Sequence, residues 1–228
     1  MSVGVVLAAG GRGLRMGAHL PKQFLEIDGR PIYIQALRPF LDHPEVRAIR
    51  IGMPEDYVPL VMRTMTDLYP GEVFSGRLSV FPGGRRRQDT VAKGVRLLAG
   101  LPEISGALVH DASRPFLSTD ILDRTIRSLE KGQAVGVGVP VSDTLWRVSG
   151  GEKEVEVREI VPREAIVAAQ TPQGAPMALF IAALDRAERE DREFTDEASL
   201  FLWAGIPFVL VEGSNRNRKI TRPEDLSH

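Results

Sequence analysis

The stretch Val3-Gly4-Val5-Val6-Leu7-Ala8, followed after Ala9 by Gly10-Gly11-Arg12-Gly13, decides the fold class of this 228-residue chain. A nearly continuous apolar run that stops at glycines is typical of a strand buried on both faces of a parallel sheet. Similar short runs recur along the chain, with helical stretches between them, at residues 46–53, 78–81, 107–110, 134–139 and 208–211. The alternation predicts an α/β fold with a mostly parallel, twisted, doubly wound sheet and helices on both of its faces.

Two segments, 31–41 and 195–204, have the apolar periodicity of amphipathic helices. The stretch 143–163 differs, because valines alternate with polar residues there around a Gly150-Gly151 turn. This pattern predicts a β-hairpin. We expect the hairpin, at about residues 141–165, to protrude from the compact body as an arm that promotes dimerisation.

The composition excludes several classes of protein. Hydrophobic residues make up 43% and charged residues 26% of the chain, and no apolar run approaches the roughly 20 residues that span a bilayer. A net charge of -1 argues against non-specific nucleic-acid binding. The absence of cysteine excludes disulfides, thiolate zinc sites and cysteine nucleophiles.

Met1 to Ala9 lacks a basic n-region, so we expect a first strand rather than a signal peptide, and a cytoplasmic protein. Without repeats or linkers, residues 1–228 are interpreted as one domain.

The residues that follow the first strand predict a nucleotide cradle. Ligands of open α/β sheets bind outside the carboxyl ends of the strands. The small residues Ala8, Ala9 and Gly10 allow backbone N–H groups to approach phosphate oxygens, and Arg15 and Lys22 add positive charge. A glycine turn with solvated arginines explains this segment equally well when it is considered alone. The segment has neither the P-loop nor the dinucleotide-binding pattern, which disfavours kinases and dehydrogenases.

Two further strands are followed by residues that suggest ligand binding. In 83–90, backbone amides and the Thr90 hydroxyl are suited to reading a base or ribose edge. Three arginines at this helix start are unfavourable without an anion, so we interpret the segment as a binding loop rather than a basic helix start. Asp111 follows the next strand and is a candidate magnesium ligand. The structural alternative for Asp111 is a turn cap before Pro115.

The remaining polar groups have a shared interpretation. Each one alone predicts a turn or a helix cap, whereas together they would line a pocket for a second, polyol-like anionic substrate. They are Asp143-Thr144, Arg163, Gln170-Thr171-Pro172-Gln173, Thr195-Asp196-Glu197 and Asn217-Arg218-Lys219-Ile220-Thr221.

The motifs, taken in order, resemble those of the 2-C-methyl-D-erythritol 4-phosphate cytidylyltransferases, which are Rossmann-like nucleotidyltransferases. The matching residues are Ala8-Ala9-Gly10, Arg15-Met16, Pro21-Lys22-Gln23, Gly83-Gly84, Arg87, Thr90, His110-Asp111, Arg114-Pro115, Asp143-Thr144, Gln170-Thr171-Pro172-Gln173, Thr195-Asp196-Glu197-Ala198-Ser199 and Lys219-Ile220-Thr221. The resemblance implies an enzyme that forms 4-diphosphocytidyl-2-C-methyl-D-erythritol and pyrophosphate from CTP and methylerythritol phosphate, with Mg²⁺, for non-mevalonate isoprenoid precursor synthesis.

The resemblance also implies a role for individual residues. Arg15 and Lys22 would bind the CTP phosphates and stabilise the transition state, and Arg163 and Lys219 would position the attacking phosphate. The nucleotide contacts would come from Ala8, Ala9, Gly10, Gly84, Thr90 and Ala112. The methylerythritol phosphate contacts would come from Arg114, Thr144, Thr171 and Thr195, with Asp111 beside the magnesium ion. In this family the arm is exchanged between the subunits of a homodimer, so the site would be shared.

The sequence departs from the family pattern at the first loop, which is one residue longer at Gly11-Arg12-Gly13, and at Arg85, where an acidic residue is frequent. Two alternatives to the main interpretation stay open. One is a ribitol 5-phosphate cytidylyltransferase, which shares most of these motifs. The other is a non-catalytic nucleotide-binding homologue, which the intact Lys22, Asp111 and Lys219 disfavour.

Overall fold

The computed structural model describes residues 1–10, 21–150 and 155–226. Within these residues, seven strands form one sheet in which six strands are parallel and one is antiparallel. The order across the sheet is Phe208–Glu212 (β11), Ala134–Pro140 (β7), Val167–Pro176 (β10), Gly106–Asp111 (β6), Val3–Ala8 (β1), Val46–Met53 (β4) and Leu78–Pro82 (β5). The predicted α/β class and mostly parallel sheet are confirmed, as are the six strands expected from the apolar runs.

Helices cover both faces of the sheet, as predicted. They are Ile32–Leu41 (α1), Val58–Leu68 (α2), Pro70–Phe74 (α3), Arg87–Ala99 (α4), Thr119–Glu130 (α5), Met177–Arg189 (α6) and Glu197–Trp203 (α7). In β1, Val5 and Leu7 pack on the side of α1, α2 and α5, whereas Val6 packs on the side of α4, α6 and α7. All three side chains are fully buried. Burial on both faces explains why the first apolar run is continuous rather than alternating.

Short elements complete the described chain. Glu26–Ile27 (β2) and Arg30–Pro31 (β3) form a small hairpin. Single 3-10 turns occupy Lys22–Phe24, Glu55–Tyr57, Arg163–Ala165 and Pro223–Leu226. Among the residues that the structure describes, no helix combines the length and the apolar character needed to cross a membrane.

The predicted hairpin is present as a separate two-stranded sheet. Leu145–Gly150 (β8) pairs antiparallel with Val155–Val161 (β9), while residues 151–154 of the predicted turn lie outside the described residues. Trp146 lies opposite Ile160, and these side chains are 61% and 67% exposed. The hairpin itself is confirmed, and its part in dimerisation stays a prediction.

One predicted turn belongs to a strand. The residues Gln170-Thr171-Pro172-Gln173 lie in β10, which runs antiparallel to both of its neighbours, β6 and β7. Its pairing with β7 shifts between Gln170 and Gln173, so Thr171 and Pro172 interrupt the ladder. Proline has no N–H group to donate to a ladder and is a strong turn signal in a sequence. The prediction of a turn was therefore wrong, because the strand continues on the far side of the interruption.

Candidate active site

A cavity of about 620 Å³ opens at the carboxyl ends of β1, β4, β5 and β6. Its lining residues are Ala8, Gly10, Pro54, Glu55, the segment 83–87, Thr90, Asp111, Ser113 and Lys219. Segments that are far apart in the sequence thus meet at this edge, where α/β sheets bind their ligands.

Asp111, the last residue of β6, lies between two cationic side chains. The Lys219 Nζ is 2.7 Å from Oδ2 of Asp111, and the Arg87 Nε is 3.0 Å from Oδ1. Burial alone would raise the pKa of the Asp111 carboxyl, but the nearby charges of Arg87 and Lys219 outweigh burial and hold this pKa well below its usual range. Asp111 is therefore an anion with one oxygen directed at each cation.

Arg87 connects Asp111 to a second buried carboxylate, Glu197. The Nη1 and Nη2 groups of Arg87 donate to Oε1 and Oε2 of Glu197 at 2.7 Å and 3.0 Å. Although burial opposes its charge, these two carboxylates raise the pKa of Arg87 above its ordinary value. Glu197, Arg87, Asp111 and Lys219 thus form a row of alternating charges, which we call the charge row. Sequence reasoning placed Arg87 in a binding loop and Glu197 among the groups of a second-substrate pocket, but it did not predict that the two residues pair.

The arginine run 85–87 leads into α4. Its concentrated positive charge is the feature of the sequence that could have predicted pairing with carboxylates. Arg86 pairs with Asp89, Nη2 to Oδ1 at 2.8 Å, and also with Glu193. Arg87 pairs within the charge row. The sequence argument required an anion near these arginines, and carboxylates of the protein supply it for two of the three. Arg85 is exposed and lines the cavity.

The loop that precedes α4 folds tightly around Thr90. The Thr90 hydroxyl accepts a hydrogen bond from the Gly84 N–H at 2.9 Å and donates to the Arg86 carbonyl at 3.3 Å. A Cβ atom on Gly84 would lie 2.2 Å from the Cβ of Asp89, so only glycine fits this conformation. Thr90 shapes the loop, and the nucleotide contacts of Gly84 and Thr90 stay predictions.

The end of β1 is tied to its surroundings through backbone groups. The Ala112 N–H donates to the Ala8 carbonyl at 3.1 Å, and the Gln23 Nε2 donates to the Ala9 carbonyl at 2.8 Å. Ala8 and Gly10 line the cavity, whereas Ala9 and Ala112 are buried. The structure therefore brings these predicted nucleotide-binding residues to one edge of the sheet.

The two predicted phosphate-binding cations are Arg15 and Lys22. Arg15 lies outside the described residues. Lys22 begins the 3-10 turn Lys22–Phe24, but its side chain also lies outside the described part of the chain. Their catalytic roles stay predictions.

Thr171 and His110 support the backbone of Asp111. The Asp111 N–H donates to the Thr171 hydroxyl at 3.1 Å, and this hydroxyl lies 2.9 Å from Nδ1 of His110. The Nε2 of His110 lies 2.9 Å from the Arg114 carbonyl, which can only accept, so we assign the ring proton to Nε2 and a donating role to Thr171. Burial lowers the pKa of His110 to about 4, and the ring is neutral. Contact of Thr171 with substrate stays a prediction.

Arg114 is directed towards the segment that carries Lys219. Its Nη1 donates to the Asn217 carbonyl at 2.8 Å and its Nη2 to the Ala169 carbonyl at 3.1 Å. These bonds link the loop after β6 to β10 and to the segment that leads to Lys219. The predicted substrate role of Arg114 is untested by these contacts.

Three exposed residues of the predicted site, like the buried Ala9, Ala112, Arg114 and Thr171, do not belong to the described lining of the cavity. Thr144 lies directly before β8, and Arg163 lies shortly after β9. Both residues are exposed, and Arg163 donates to the Ser142 carbonyl. Thr195 is exposed directly before Asp196, the N-cap of α7. Their contacts with a second substrate stay predictions.

The residues of the cavity fit a magnesium ion that arrives on phosphate oxygens. The described residues include no cluster of three or more side chains able to hold a metal by themselves. Mg²⁺ in proteins is commonly bound through one or two carboxylates together with substrate phosphates. Each Asp111 oxygen retains lone-pair capacity beside the hydrogen bond that it accepts, so this carboxylate can serve as the protein ligand.

Comparison with known proteins gives consistent matches. A family model described as IspD, 2-C-methyl-D-erythritol 4-phosphate cytidylyltransferase, matches residues 3–228. The 2-C-methyl-D-erythritol 4-phosphate cytidylyltransferase of Acidobacterium capsulatum is 38% identical over 99% of this chain and 95% of its own length. The bifunctional enzyme IspD/IspF of Desulfotalea psychrophila is 39% identical over 97% of this chain and 54% of its own length. The chain therefore spans about half of that bifunctional relative.

A solved relative has the same fold. The crystal structure of 2-C-methyl-D-erythritol 4-phosphate cytidylyltransferase from Thermus thermophilus superposes with a TM-score of 0.76 at 32% identity. The match covers 99% of this chain and 96% of that chain. The similarity thus extends over the whole sheet and the helices that pack on it.

Proposed function

The chain belongs to the 2-C-methyl-D-erythritol 4-phosphate cytidylyltransferase family, and we propose that it transfers the cytidylyl group of CTP to 2-C-methyl-D-erythritol 4-phosphate. The products are 4-diphosphocytidyl-2-C-methyl-D-erythritol and pyrophosphate. This step serves the formation of isoprenoid precursors.

The chemistry determines what the protein has to supply. An oxygen of the methylerythritol phosphate forms a bond to the α-phosphorus of CTP. The bond from that phosphorus to the bridging oxygen breaks, and pyrophosphate leaves with the electron pair. A phosphate monoester is already ionised near neutral pH, so the protein need not provide a general base. Since both reactants are anions, catalysis depends on cations that hold them in line.

The observation that carries the proposal is the position of Lys219. Its side chain is 39% exposed, lines the cavity and lies 2.7 Å from Asp111. A lysine in this position is able to exchange the carboxylate for an incoming phosphate oxygen. In the proposal, Arg15 and Lys22 supply positive charge to the triphosphate, and Lys219 and Arg163 orient the attacking phosphate.

Magnesium is part of the proposal. Asp111 would hold the ion together with oxygens of the triphosphate, and the bound ion would offset negative charge on the phosphates. The chain contributes the position of the Asp111 carboxylate, which Thr171 fixes at the backbone and Arg87 at one oxygen.

We also propose that two copies of the chain complete each other's sites through the hairpin. The exposed apolar pair Trp146 and Ile160 supports an interface on this arm. The second-substrate pocket would then combine Arg114, Thr171 and Thr195 with Thr144 and Arg163 of the exchanged arm.

Since both substrates are charged phosphates and the sequence has no cysteine, we place the reaction in the cytoplasm.

Pyrophosphate release tests the proposed function. The purified protein is incubated with CTP and Mg²⁺, and with methylerythritol phosphate, ribitol 5-phosphate or no acceptor. We expect pyrophosphate release only in the sample that contains methylerythritol phosphate. Release only with ribitol 5-phosphate would transfer the function to that alcohol, and no release with either acceptor would favour a non-catalytic nucleotide-binding protein.

A further inference from the structure

The charge row ends in Glu197, a carboxylate that has no part in the proposed chemistry. Its side chain is almost completely buried, and its two oxygens are occupied by Arg87 at 2.7 Å and 3.0 Å. A buried carboxylate is costly unless it is paired and hydrogen-bonded. Glu197 therefore requires an explanation beyond surface solubility.

The backbone that carries Glu197 is firmly held. The Ser199 N–H donates to Oδ1 of the N-cap residue Asp196 at 3.0 Å, and the Ala198 N–H donates to Oε1 of Gln173 at 2.9 Å. Gln173 is a buried residue of β10. The start of α7 is thus attached to the same strand whose Thr171 fixes Asp111. Hydrogen bonds to β10 therefore hold the backbone at both ends of the Glu197–Arg87–Asp111 connection.

The geometry of Arg87 shows what Glu197 prevents. Arg87 gives both Nη groups to Glu197 and only its Nε to Asp111. A guanidinium that is free to choose forms a bidentate pair with a carboxylate. Without Glu197, the Nη groups of Arg87 would be free to join Nε in a bidentate pair with Asp111, which would cover both carboxylate oxygens and displace Lys219 from Oδ2.

We propose that Glu197 is a positioning residue: by holding the Nη groups of Arg87, it restricts Arg87 to one oxygen of Asp111. The second oxygen then stays accessible to Lys219 and to the magnesium ion that accompanies CTP. This inference rests on the proposed function, since it concerns the same site and the same nucleotide.

Calorimetric titration with CTP tests the inference without measuring turnover. The dissociation constant of CTP is measured with Mg²⁺ and with EDTA, and the ratio of the two constants gives the metal-dependent gain in affinity. In Glu197→Gln we expect this gain to fall by about 10- to 100-fold, the usual effect of removing a group that orients a metal ligand. The matched control is Asp185→Asn, because Asp185 pairs with Arg96 of α4 at 2.7 Å outside the cavity. The control should retain the gain of the unmodified protein.

A double variant separates positioning from a purely structural link between α4 and α7. In Arg87→Met combined with Glu197→Gln, the link is absent, but no guanidinium remains to cover Asp111. Positioning predicts that the metal-dependent gain recovers in this double variant, whereas a structural link predicts that the gain stays low. Circular dichroism establishes that each variant is folded, and the double variant decides the question if Glu197→Gln alone does not fold.

The failures are distinguishable. An unchanged gain in folded Glu197→Gln, or a low gain in the folded double variant, overturns the positioning role alone. An unmodified protein that does not bind CTP overturns the proposed function, and the inference with it.

Discussion

Lys219 and Asp111 are separated by 108 residues in the sequence, yet their Nζ and Oδ2 atoms are 2.7 Å apart. The backbone aligns them, because the Ile220 N–H donates to the Ser113 carbonyl at 2.8 Å. A lysine held by a carboxylate in this way is oriented towards the cavity before any phosphate arrives, which lowers the entropy cost of binding the phosphate.

We expect Lys219→Met to lower kcat/KM for methylerythritol phosphate by about 100-fold, since a cation aimed at the reacting phosphate is lost. Lys131→Met is the matched control, because Lys131 is an exposed residue at the end of α5. Steady-state kinetics with varied methylerythritol phosphate measure both variants. Equal loss in the two variants would contradict a specific role for Lys219.

Arg15→Ala and Lys22→Ala should each lower kcat by about 100-fold or more, because each removes positive charge from the transferring phosphate. Their circular dichroism spectra should match that of the unmodified protein. Arg63→Ala, at an exposed position of α2, provides the comparison. Nearly normal turnover in either loop variant would remove that residue from the catalytic set.

Shared sites predict complementation between inactive subunits. Arg163→Ala damages the arm, and Arg15→Ala damages the nucleotide loop. If the arm reaches the neighbouring subunit, a mixed dimer contains one site with both defects and one intact site. Mixing the two variants after mild dissociation should therefore restore activity that neither has alone. Activity equal to the sum of the separate samples would show that each subunit uses its own arm.

Gly84→Ala should weaken CTP use, because the added Cβ would lie 2.2 Å from Asp89 Cβ and 2.9 Å from its backbone carbon. The loop has to move, and a displacement of this kind costs about 100-fold in kcat/KM for CTP. Gly71→Ala is the control, since nothing lies within 4 Å of a Cβ there. Normal CTP kinetics in Gly84→Ala would show that the loop does not contact the nucleotide.

His110 should make stability depend on pH. Its pKa is lowered from 6.5 to about 4 in the folded protein. Between these values the unfolded state binds a proton that the folded state does not. The free energy of unfolding of the metal-free protein should therefore fall as the pH falls, by about 1.4 kcal/mol per pH unit from this group. Above this range His110 contributes no slope.

The corresponding measurement compares urea unfolding of the unmodified protein and of His110→Gln between about pH 5 and pH 7. The free energy of unfolding of the unmodified protein minus that of His110→Gln should decrease as the pH falls, whatever its value at pH 7. Parallel pH profiles for the two proteins would mean that folding does not shift the pKa of His110.

The sequence predicted the parts of the fold that depend on local pattern. Val3–Ala8 and the five other apolar runs are strands, and burial on two faces gives central strands such as β1 a continuous apolar signal. The strand β10 was not predicted, since Thr171 and Pro172 interrupt it. Asp111, predicted to follow an apolar run, is the last residue of β6, and Lys219 lies beside it in the lining of the cavity, while the roles predicted for both stay predictions.

The pairing of Arg87 with Glu197 was beyond the reach of sequence patterns. The two residues are 110 positions apart, and their contact depends on how α4 and α7 pack on the sheet. The direction in which Thr171 donates likewise depends on the proton of His110. Such contacts belong to tertiary structure, and a single sequence contains only the residue types that take part.

The antiparallel course of β10 has a consequence for insertions and deletions. Surface loops away from the cavity can change in length while the strands behind them stay in place. An added or deleted residue between Thr171 and Gln173 would instead turn one of these side chains to the opposite face of the sheet. Asp111 or the start of α7 would then lose its attachment. Descendants of this chain can vary the length of surface loops away from the cavity, but they must keep the spacing of β10.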